Sequence, residues 1–295
     1  MPGILVGHAQ DASGRTGCTV ILCPSGAVVG VDVSGGSPGT QNTDIIRPGE
    51  SEYQSFGVLL TGGSFFGLPA SGGVMQWIVE QGLDRVPLVP AAVIFDLPYA
   101  AGATPPTPEL AYAACRAANA GPVPQGSVGA GAGATIGKIY GQPMKGGVGT
   151  ASLRIPGGPT VAALAVVNAL GDIWDHGRIV VGALRPDGAF VDQTKAMLSG
   201  VPSPLFYHST TIAVVATTER LSKAEANRVA KLADDGMARA ISPNHTQWDG
   251  DTIFCLALGT QTSNMDRDAV VTVVGTAAAT VMEQAIIRGA LAAQS

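Results

Sequence analysis

The segment Ser209–Thr217 constrains this chain most: three consecutive hydroxyl residues run directly into a β-branched apolar stretch. Such a stretch predicts a buried strand, so the hydroxyl group at its start is held rigidly at the edge of a sheet. A polar loop that enters a strand would explain this pattern by itself. The second interpretation is a cut before Thr210, which makes Thr210 a new N-terminus. Its α-amine, with a pKa of about 7.7–8.0, then accepts the proton of its own hydroxyl, which becomes a nucleophile.

The composition predicts a chain with a large core. Hydrophobic residues make up 46% of the sequence and charged residues only 13%, which is typical of a compact folded protein rather than a disordered one. The 40 glycines and 20 prolines indicate many tight turns. A chain with so few charged residues exposes apolar surface unless other subunits cover it. We therefore expect a homo-oligomer, with a tetramer as one candidate.

Charge and terminal sequence narrow the class of partner. The net charge of −5 and the lack of a Lys/Arg cluster argue against a nucleic-acid partner. Residues 1–8 lack the basic start and the long apolar run of a secretory signal. No uncharged apolar run reaches the roughly 18 residues of a membrane span, so no membrane partner is expected.

The cysteines and histidines predict neither a disulfide framework nor a metal site. The cysteines form no C-x-x-C pair and lie mostly among apolar neighbours, as expected of buried free thiols in a cytoplasmic protein. The histidines lack metal-ligand spacing, so we predict no metal and no cofactor. The residues concerned are Cys18, Cys23, Cys115 and Cys255, and His8, His176, His208 and His245.

The order of predicted elements favours a layered α+β domain. Two strands, 19–22 and 27–33, are predicted to form a hairpin at Pro24-Ser25-Gly26. Helix starts are marked by Thr107-Pro108 and by the capping box Ser222–Glu225, and an alanine-rich helix is predicted over 267–294. The polar segment 186–209 is predicted to be an exposed linker. Helices grouped between strands suit outer layers that cover stacked sheets.

Two glycine-rich segments imitate known motifs. Residues 35–39 match the G-x-S-x-G nucleophile elbow, but Pro38 has no backbone N–H to donate to an oxyanion, so this segment is predicted to be a glycine turn. Residues 126–138 suggest a phosphate loop, yet Ala132 and Ile139 stand where that motif requires glycine and Ser/Thr. A nucleotide-binding protein is therefore disfavoured, and a passage where backbones approach closely is the better interpretation.

Several runs of residues together resemble one family over nearly the whole chain. This family is that of the self-processing amidases, which include D-aminopeptidase/L-aminopeptidase esterases, β-peptidyl aminopeptidases and nylon-oligomer hydrolases. The glycine-rich pattern and the Asp-Gly-Asp triplet are most similar to the nylon-oligomer hydrolases. The runs are residues 8–11, 14–20, 60–64, 128–131, 137–138, 144–147, 167–172, 210–217 and 249–251.

This resemblance implies a four-layer α/β/β/α sandwich, made as one precursor of residues 1–295 that cuts itself between Ser209 and Thr210 into 1–209 and 210–295. It implies a hydrolase of linear amides such as 6-aminohexanoate oligomers, with Thr210 as the nucleophile. A cation beside the new amine lowers its pKa, an amide donates to the oxyanion, and two carboxylates orient an ammonium group. These roles fall on Lys138, Asn168, and the pair Asp249 and Asp251.

Two departures from the family and two alternatives remain. Ser209 stands where asparagine or glycine is common, and Phe95 stands where the nylon-oligomer hydrolases carry a tyrosine. The first alternative is an aminopeptidase or D-amino-acid esterase-amidase that acts on small peptides, and no sequence pattern separates it from a polyamide hydrolase. The second alternative is a catalytically inactive structural homologue, which predicts an intact chain.

Overall fold

The computed structural model describes residues 1–200 and 208–295. The α-helices in this part of the chain are α1 (Ser71–Glu80), α2 (Pro108–Ala117), α3 (Gln193–Leu198), α4 (Lys223–Ala240) and α5 (Arg267–Ala292). The strands are β1 (Leu5–Gln10), β2 (Gly17–Val33), β3 (Thr40–Gln41), β4 (Gln54–Thr61), β5 (Ala91–Val93), β6 (Thr135–Ile136), β7 (Met144–Lys145), β8 (Gly147–Arg154), β9 (Thr160–Asn168), β10 (Asp172–Asp175), β11 (Arg178–Val181), β12 (Thr210–Glu219), β13 (Ile241–Ser242) and β14 (Thr252–Gln261).

The long strand β2 organises the main sheet. Nine strands form this sheet in the order β3-β5-β4-β2-β14-β12-β9-β8, with β1 also paired to β2. The predicted hairpin at Pro24-Ser25-Gly26 is wrong, because β2 runs through it with an irregularity between Leu22 and Ala27. The two halves of β2 do not pair with each other, since β1 holds residues 17–22 and β14 holds residues 28–33.

The sheet folds over itself at β2 and gives the predicted four layers. One inner face, with Ile21 and Leu60, packs against the other, with Val214 and Phe254, in a shared core. Helices α1 and α2 cover the outer face of β2 and β4, while α4 and α5 cover the outer faces of β8, β9, β12 and β14. The order of layers is therefore α/β/β/α.

Helices α4 and α5 form one of the two outer helical layers and pack against the sheet. The capping box predicted at Ser222 and Glu225 is present at the start of α4. Helix α5 is long and apolar enough to cross a membrane by length and composition, but 56% of its most apolar window is buried inside the protein. It packs on α4, β8 and β9, as a core helix does.

The remaining differences from prediction lie in connecting segments. The segment 186–209 contains the short helix α3, capped by the Asp192 side chain, and Ser209 at its end is buried rather than exposed. Residues 201–207 of the predicted linker lie outside the described residues. The glycine-lined passage at 126–138 is confirmed, because a Cβ atom at Gly131 would lie 2.6 Å from the Val148 nitrogen and one at Gly137 would lie 2.3 Å from the Ala183 nitrogen.

The register of three adjacent strands brings the predicted site residues together. Thr210, at the start of β12, lies opposite Asn168, at the end of the antiparallel strand β9. On its other side β12 runs parallel to β14, and this pairing extends upstream as a bridge between Ser209 and Asp249. One end of the sheet therefore brings Thr210 together with Asn168, about 40 positions before it in sequence, and with Asp249, about 40 positions after it.

Candidate active site

The Ser209–Thr210 peptide bond lies in the protein interior. Ser209 is 1% exposed and Thr210 is 3% exposed. The Ser209 nitrogen donates to the Trp248 carbonyl at 2.9 Å, while the buried Ser209 Oγ atom has no hydrogen-bond partner in residues 1–200 and 208–295. Backbone pairing on both sides of β12 thus holds this bond in a fixed orientation.

Two donors converge on the carbonyl oxygen of Ser209. The Thr210 hydroxyl donates to it, and the Gly250 backbone N–H donates to it at 2.9 Å. A Cβ atom at Gly250 would lie 2.7 Å from the Ser37 oxygen and 2.8 Å from Thr210 Oγ1, so only glycine fits here without displacement. The Gly250 N–H is placed where negative charge develops if Thr210 attacks this carbonyl.

Lys138 is a buried amine hydrogen-bonded to Asn168, the residue opposite Thr210 in the strand pairing. Its Nζ donates to the Asn168 backbone oxygen at 2.9 Å and to Asn168 Oδ1 at 2.7 Å, and it lies 5.3 Å from the centre of the Tyr99 ring. Burial lowers the pKa of Lys138 to about 7, although the carboxylates of Asp249, Asp96 and Asp251 oppose this shift. Lys138 therefore changes charge near neutral pH.

Asn168 links Lys138 to the strand pairing of Thr210. Its Oδ1 accepts from Lys138 and also from the Thr135 backbone N–H at 3.0 Å. Its Nδ2 donates to the Phe95 carbonyl at 3.3 Å. In the uncut chain the side-chain amide is thus directed toward Phe95, and the N–H that bonds the Ser209 carbonyl is that of Gly250. The predicted oxyanion role of Asn168 stays a prediction.

The Phe95 ring faces the N-terminal side of the predicted cut. It packs against His208, with 4.6 Å between ring centres, and edge-on against Phe65 at 5.5 Å. His208 is two residues before Thr210 in the chain. Phe95 therefore contacts the segment that ends at the predicted cut.

The two carboxylates of the Asp249-Gly250-Asp251 triplet are both buried, but their partners differ. Asp249 Oδ2 accepts from the Thr246 nitrogen at 3.0 Å and from the Thr246 hydroxyl at 2.6 Å. Asp251 Oδ1 accepts from the Thr211 nitrogen at 2.7 Å. Burial, reinforced by the Asp251 carboxylate, raises the pKa of Asp249 well above its usual range.

His245 is a member of the site that the sequence did not indicate. Its Nδ1 lies 2.9 Å from Asp251 Oδ2, and its Nε2 lies 2.9 Å from Asp234 Oδ2. Burial lowers the pKa of His245, but the contacts with the two carboxylates outweigh this effect and raise the pKa to about 10. The only sequence signal was the position of His245 six residues before Asp251, which does not distinguish it from a turn residue.

Asp96 is a second residue of the site that sequence reasoning missed, and its carboxyl group is buried. It accepts from the Thr16 hydroxyl at 2.6 Å and from the Gly63 nitrogen at 2.8 Å, and burial raises its pKa. Thr16, Gly63 and Asp96 come from three separate segments, so only the folded chain brings them together near Lys138.

No cluster of three or more metal-ligating side chains occurs within the described ranges, 1–200 and 208–295. A cavity of about 310 Å³ lies away from this site, between β1 and strands β8, β9 and β12. The Thr210 end of the sheet carries hydroxyl, amide, amine and carboxyl groups, those of Thr210, Asn168, Lys138, Asp249 and Asp251.

Comparison with known proteins gives relatives over almost the full chain. The chain is 41% identical over 331 residues to an uncharacterised aminopeptidase of Mycobacterium leprae (strain TN), an alignment that covers 99% of this chain and 89% of that protein. It is 34% identical over 309 residues to a 6-aminohexanoate-oligomer endohydrolase of Kocuria sp. (strain KY2), covering 98% of this chain and 84% of that protein.

Solved structures support the same fold. The L-aminopeptidase D-Ala-esterase/amidase of Ochrobactrum anthropi, described as a variant of the Ntn hydrolase fold, matches with a TM-score of 0.73 at 23% identity. The match covers 99% of this chain and 85% of that one.

The family model of peptidase family S58 matches residues 1–295. With a buried nucleophile candidate at the end of the sheet and relatives that extend over its full length, this chain belongs to peptidase family S58 and is a hydrolase of amide bonds.

Proposed function

We propose that this protein cuts its own Ser209–Thr210 bond and then hydrolyses amides with Thr210 as its N-terminal nucleophile. The observation that carries the proposal is the arrangement around the Ser209 carbonyl, where the Thr210 hydroxyl and the Gly250 N–H meet at the same oxygen. A nucleophile and an oxyanion donor are thus already placed on the bond to be cut.

The processing step follows from this geometry. Thr210 Oγ attacks the Ser209 carbonyl carbon, and the Gly250 N–H stabilises the negative oxygen. The C–N bond then breaks, and the proton lost from Oγ passes to the Thr210 nitrogen, which becomes a free amine, while Ser209 remains attached to Oγ as an ester. Water hydrolyses this ester, which leaves a carboxylate on Ser209 and a free hydroxyl on Thr210.

Turnover of a substrate repeats the same chemistry. The free α-amine of Thr210 accepts the hydroxyl proton as Oγ attacks the substrate carbonyl, and it returns this proton to the leaving amine. The acyl ester on Thr210 is then hydrolysed by water. Lys138, buried beside Asn168, favours the neutral form of the neighbouring amine, and Asn168 supplies a second donor to the oxyanion once it is released from Phe95.

For the substrate, we propose short polyamide or peptide-like oligomers, of which 6-aminohexanoate oligomers are one example. The basis is the relative named an oligomer endohydrolase. An aminopeptidase is the second candidate, favoured by the relatives named aminopeptidase and by the buried carboxylates Asp249 and Asp251, which suit the recognition of an ammonium group. A short peptide, its N-acetylated form and an aminohexanoate oligomer distinguish the two, because loss of activity on acetylation favours the aminopeptidase.

The cut itself is tested on a denaturing gel. We expect wild-type protein to give two bands, with Thr210 as the first residue of the smaller one, and Thr210→Ala to remain intact and inactive. The matched control is Thr211→Val, because the Thr211 Oγ1 atom is buried and has no partner among the described residues. A single uncut band in fully active protein would refute the proposal, and an intact wild type without turnover would support an inactive homologue.

We also propose that the enzyme is a homo-oligomer located in the cytoplasm. Large apolar side chains are exposed on the described surface, including Phe66 at 74%, Val86 at 82% and Leu198 at 85%. Burial of such groups favours association. Light scattering measures the mass directly, and a monomeric mass would contradict this proposal.

A further inference from the structure

We propose that His245, held by Asp234, is a positioning residue that keeps Asp251 ionised, so that Asp249 is the member of the pair that gains and loses a proton. This assignment rests on the proposed function in one respect: the pair adjoins the bond at Thr210. It goes further by giving two adjacent carboxyl groups different tasks.

The hydrogen bonds of Asp251 suit only its ionised form. Oδ1 accepts the Thr211 N–H at 2.7 Å, and Oδ2 accepts the His245 backbone N–H at 3.1 Å and faces His245 Nδ1 at 2.9 Å. Backbone N–H groups can donate but cannot accept. Oδ2 already has two partners, so a proton there would displace one of them, and a proton on Oδ1 would share that oxygen with the Thr211 N–H, within a residue that is only 3% exposed.

Asp249 has room for a proton. Its bonds, both from Thr246, go to Oδ2, and no donor among the described residues bonds to Oδ1. One of these donors is a hydroxyl, which can rotate and accept instead. Asp249 thus tolerates both protonation states where Asp251 tolerates one.

His245 is built to sit between two carboxylates. Nδ1 faces Asp251 and Nε2 lies at ion-pair distance from Asp234, each at 2.9 Å, although Nε2 makes no hydrogen bond within the described residues. Two flanking carboxylates favour the imidazolium form of the ring. The backbone of His245 has a φ of 49°, a left-handed conformation that is costly for most non-glycine residues. The bond from its own N–H to Asp251 stabilises this conformation.

The charge count explains why the pair needs His245. Asp234, His245 and Asp251 together carry a net charge of −1. Without the imidazolium the net charge beside Asp249 becomes −2. The Lys138 ammonium opposes this effect, because it lowers the pKa of Asp249. Like charge favours protonation of a neighbouring carboxyl group, so His245 sets the pH at which Asp249 ionises.

The test uses the uncut Thr210→Ala chain labelled with ¹³C at the aspartate carboxyl groups. The Asp249 signal is identified by its loss in Asp249→Asn and is followed against pH. His245→Asn keeps a donor for Asp251 and suits the left-handed backbone, but it removes the charge and the contact with Asp234. We expect the Asp249 midpoint to rise by about one pH unit.

Further variants reverse or cancel this shift. His245→Asn combined with Asp234→Asn restores the net charge of −1, so the midpoint returns toward that of the parent chain. Asp234→Asn alone is expected to lower the midpoint or leave it in place. The control is Asp235→Asn, an exposed neighbour on α4, which makes the same charge change at a distance and is expected to have no effect.

Three results would overturn the assignment: an unmoved midpoint in His245→Asn, a rise in Asp234→Asn, or titration of Asp251 in place of Asp249. If His245→Asn does not fold, the direction of the Asp234→Asn shift still decides. Because the titration needs no turnover, it remains decisive if the cut at Thr210 does not occur. In the cut enzyme, the acid limb of kcat is expected to move with the midpoint, which a merely structural role would not produce.

Discussion

The Gly250→Ala variant tests the geometry of the site most directly. The substitution keeps the backbone N–H that bonds the Ser209 carbonyl and adds only a methyl group. That methyl group would lie 2.7 Å from the Ser37 oxygen and 2.8 Å from Thr210 Oγ1. Ordinary contact begins near 3.4 Å, so the nucleophile or the strand must move by about 0.6 Å.

The size of the effect follows from this displacement. A misplacement of about 1 Å can cost about 100-fold in rate, so we expect cutting and turnover to slow by roughly 10- to 100-fold. Overpacking typically costs about 1–3 kcal/mol of unfolding free energy, so the fold should persist. The assay combines a gel time course of cutting, kcat on an amide substrate, and thermal unfolding.

Gly72→Ala is the matched control for this experiment. Gly72 is exposed on α1, and the nearest atom to an added Cβ is 4.0 Å away, at Pro108. Alanine in a helix interior is favoured over glycine by about 0.5–1 kcal/mol, so this variant should be slightly more stable and cut normally. Wild-type cutting and turnover in Gly250→Ala would refute the placement of Thr210 Oγ1 against Gly250.

Two further predictions concern Lys138 and Phe95. Because burial lowers the pKa of Lys138 to about 7 from 10.5, the unfolded chain binds more protons between these values, and stability rises with pH across that window. Lys138→Met should flatten this rise, as measured by urea unfolding near about pH 7.5 and about pH 9.5; equal slopes in the two proteins would contradict the buried site. Phe95→Leu removes a ring contact with His208 of the kind worth about 0.5–1.5 kcal/mol, so cutting should slow by about 2- to 10-fold on the gel. The exposed Phe66→Leu is its control, and equal cutting in both would exclude a role for Phe95.

The sequence alone determined the features that depend on neighbouring residues. The β-branched run after Thr210 indicated a buried strand, and β12 is one. The capping box at Ser222 marked the start of α4, because a helix start is set by hydrogen bonds three residues apart. The residues of the site were found from the runs shared with the family, and Thr210, Lys138, Asn168 and the aspartate pair do lie together.

Only the tertiary structure decided the path of β2 and the partners at the site. Residues 19–33 have the alternation of two strands and a turn between them, yet the competing pairings with β1 and β14 keep β2 continuous. The Gly250 N–H is a backbone group, so no side-chain pattern marks it as the donor to Ser209. Asp234 and His245 meet because the segment between β13 and β14 folds back against α4. Local sequence fixes hydrogen bonds that close within a few residues, whereas these contacts depend on where distant segments lie once the two halves of the sheet fold together.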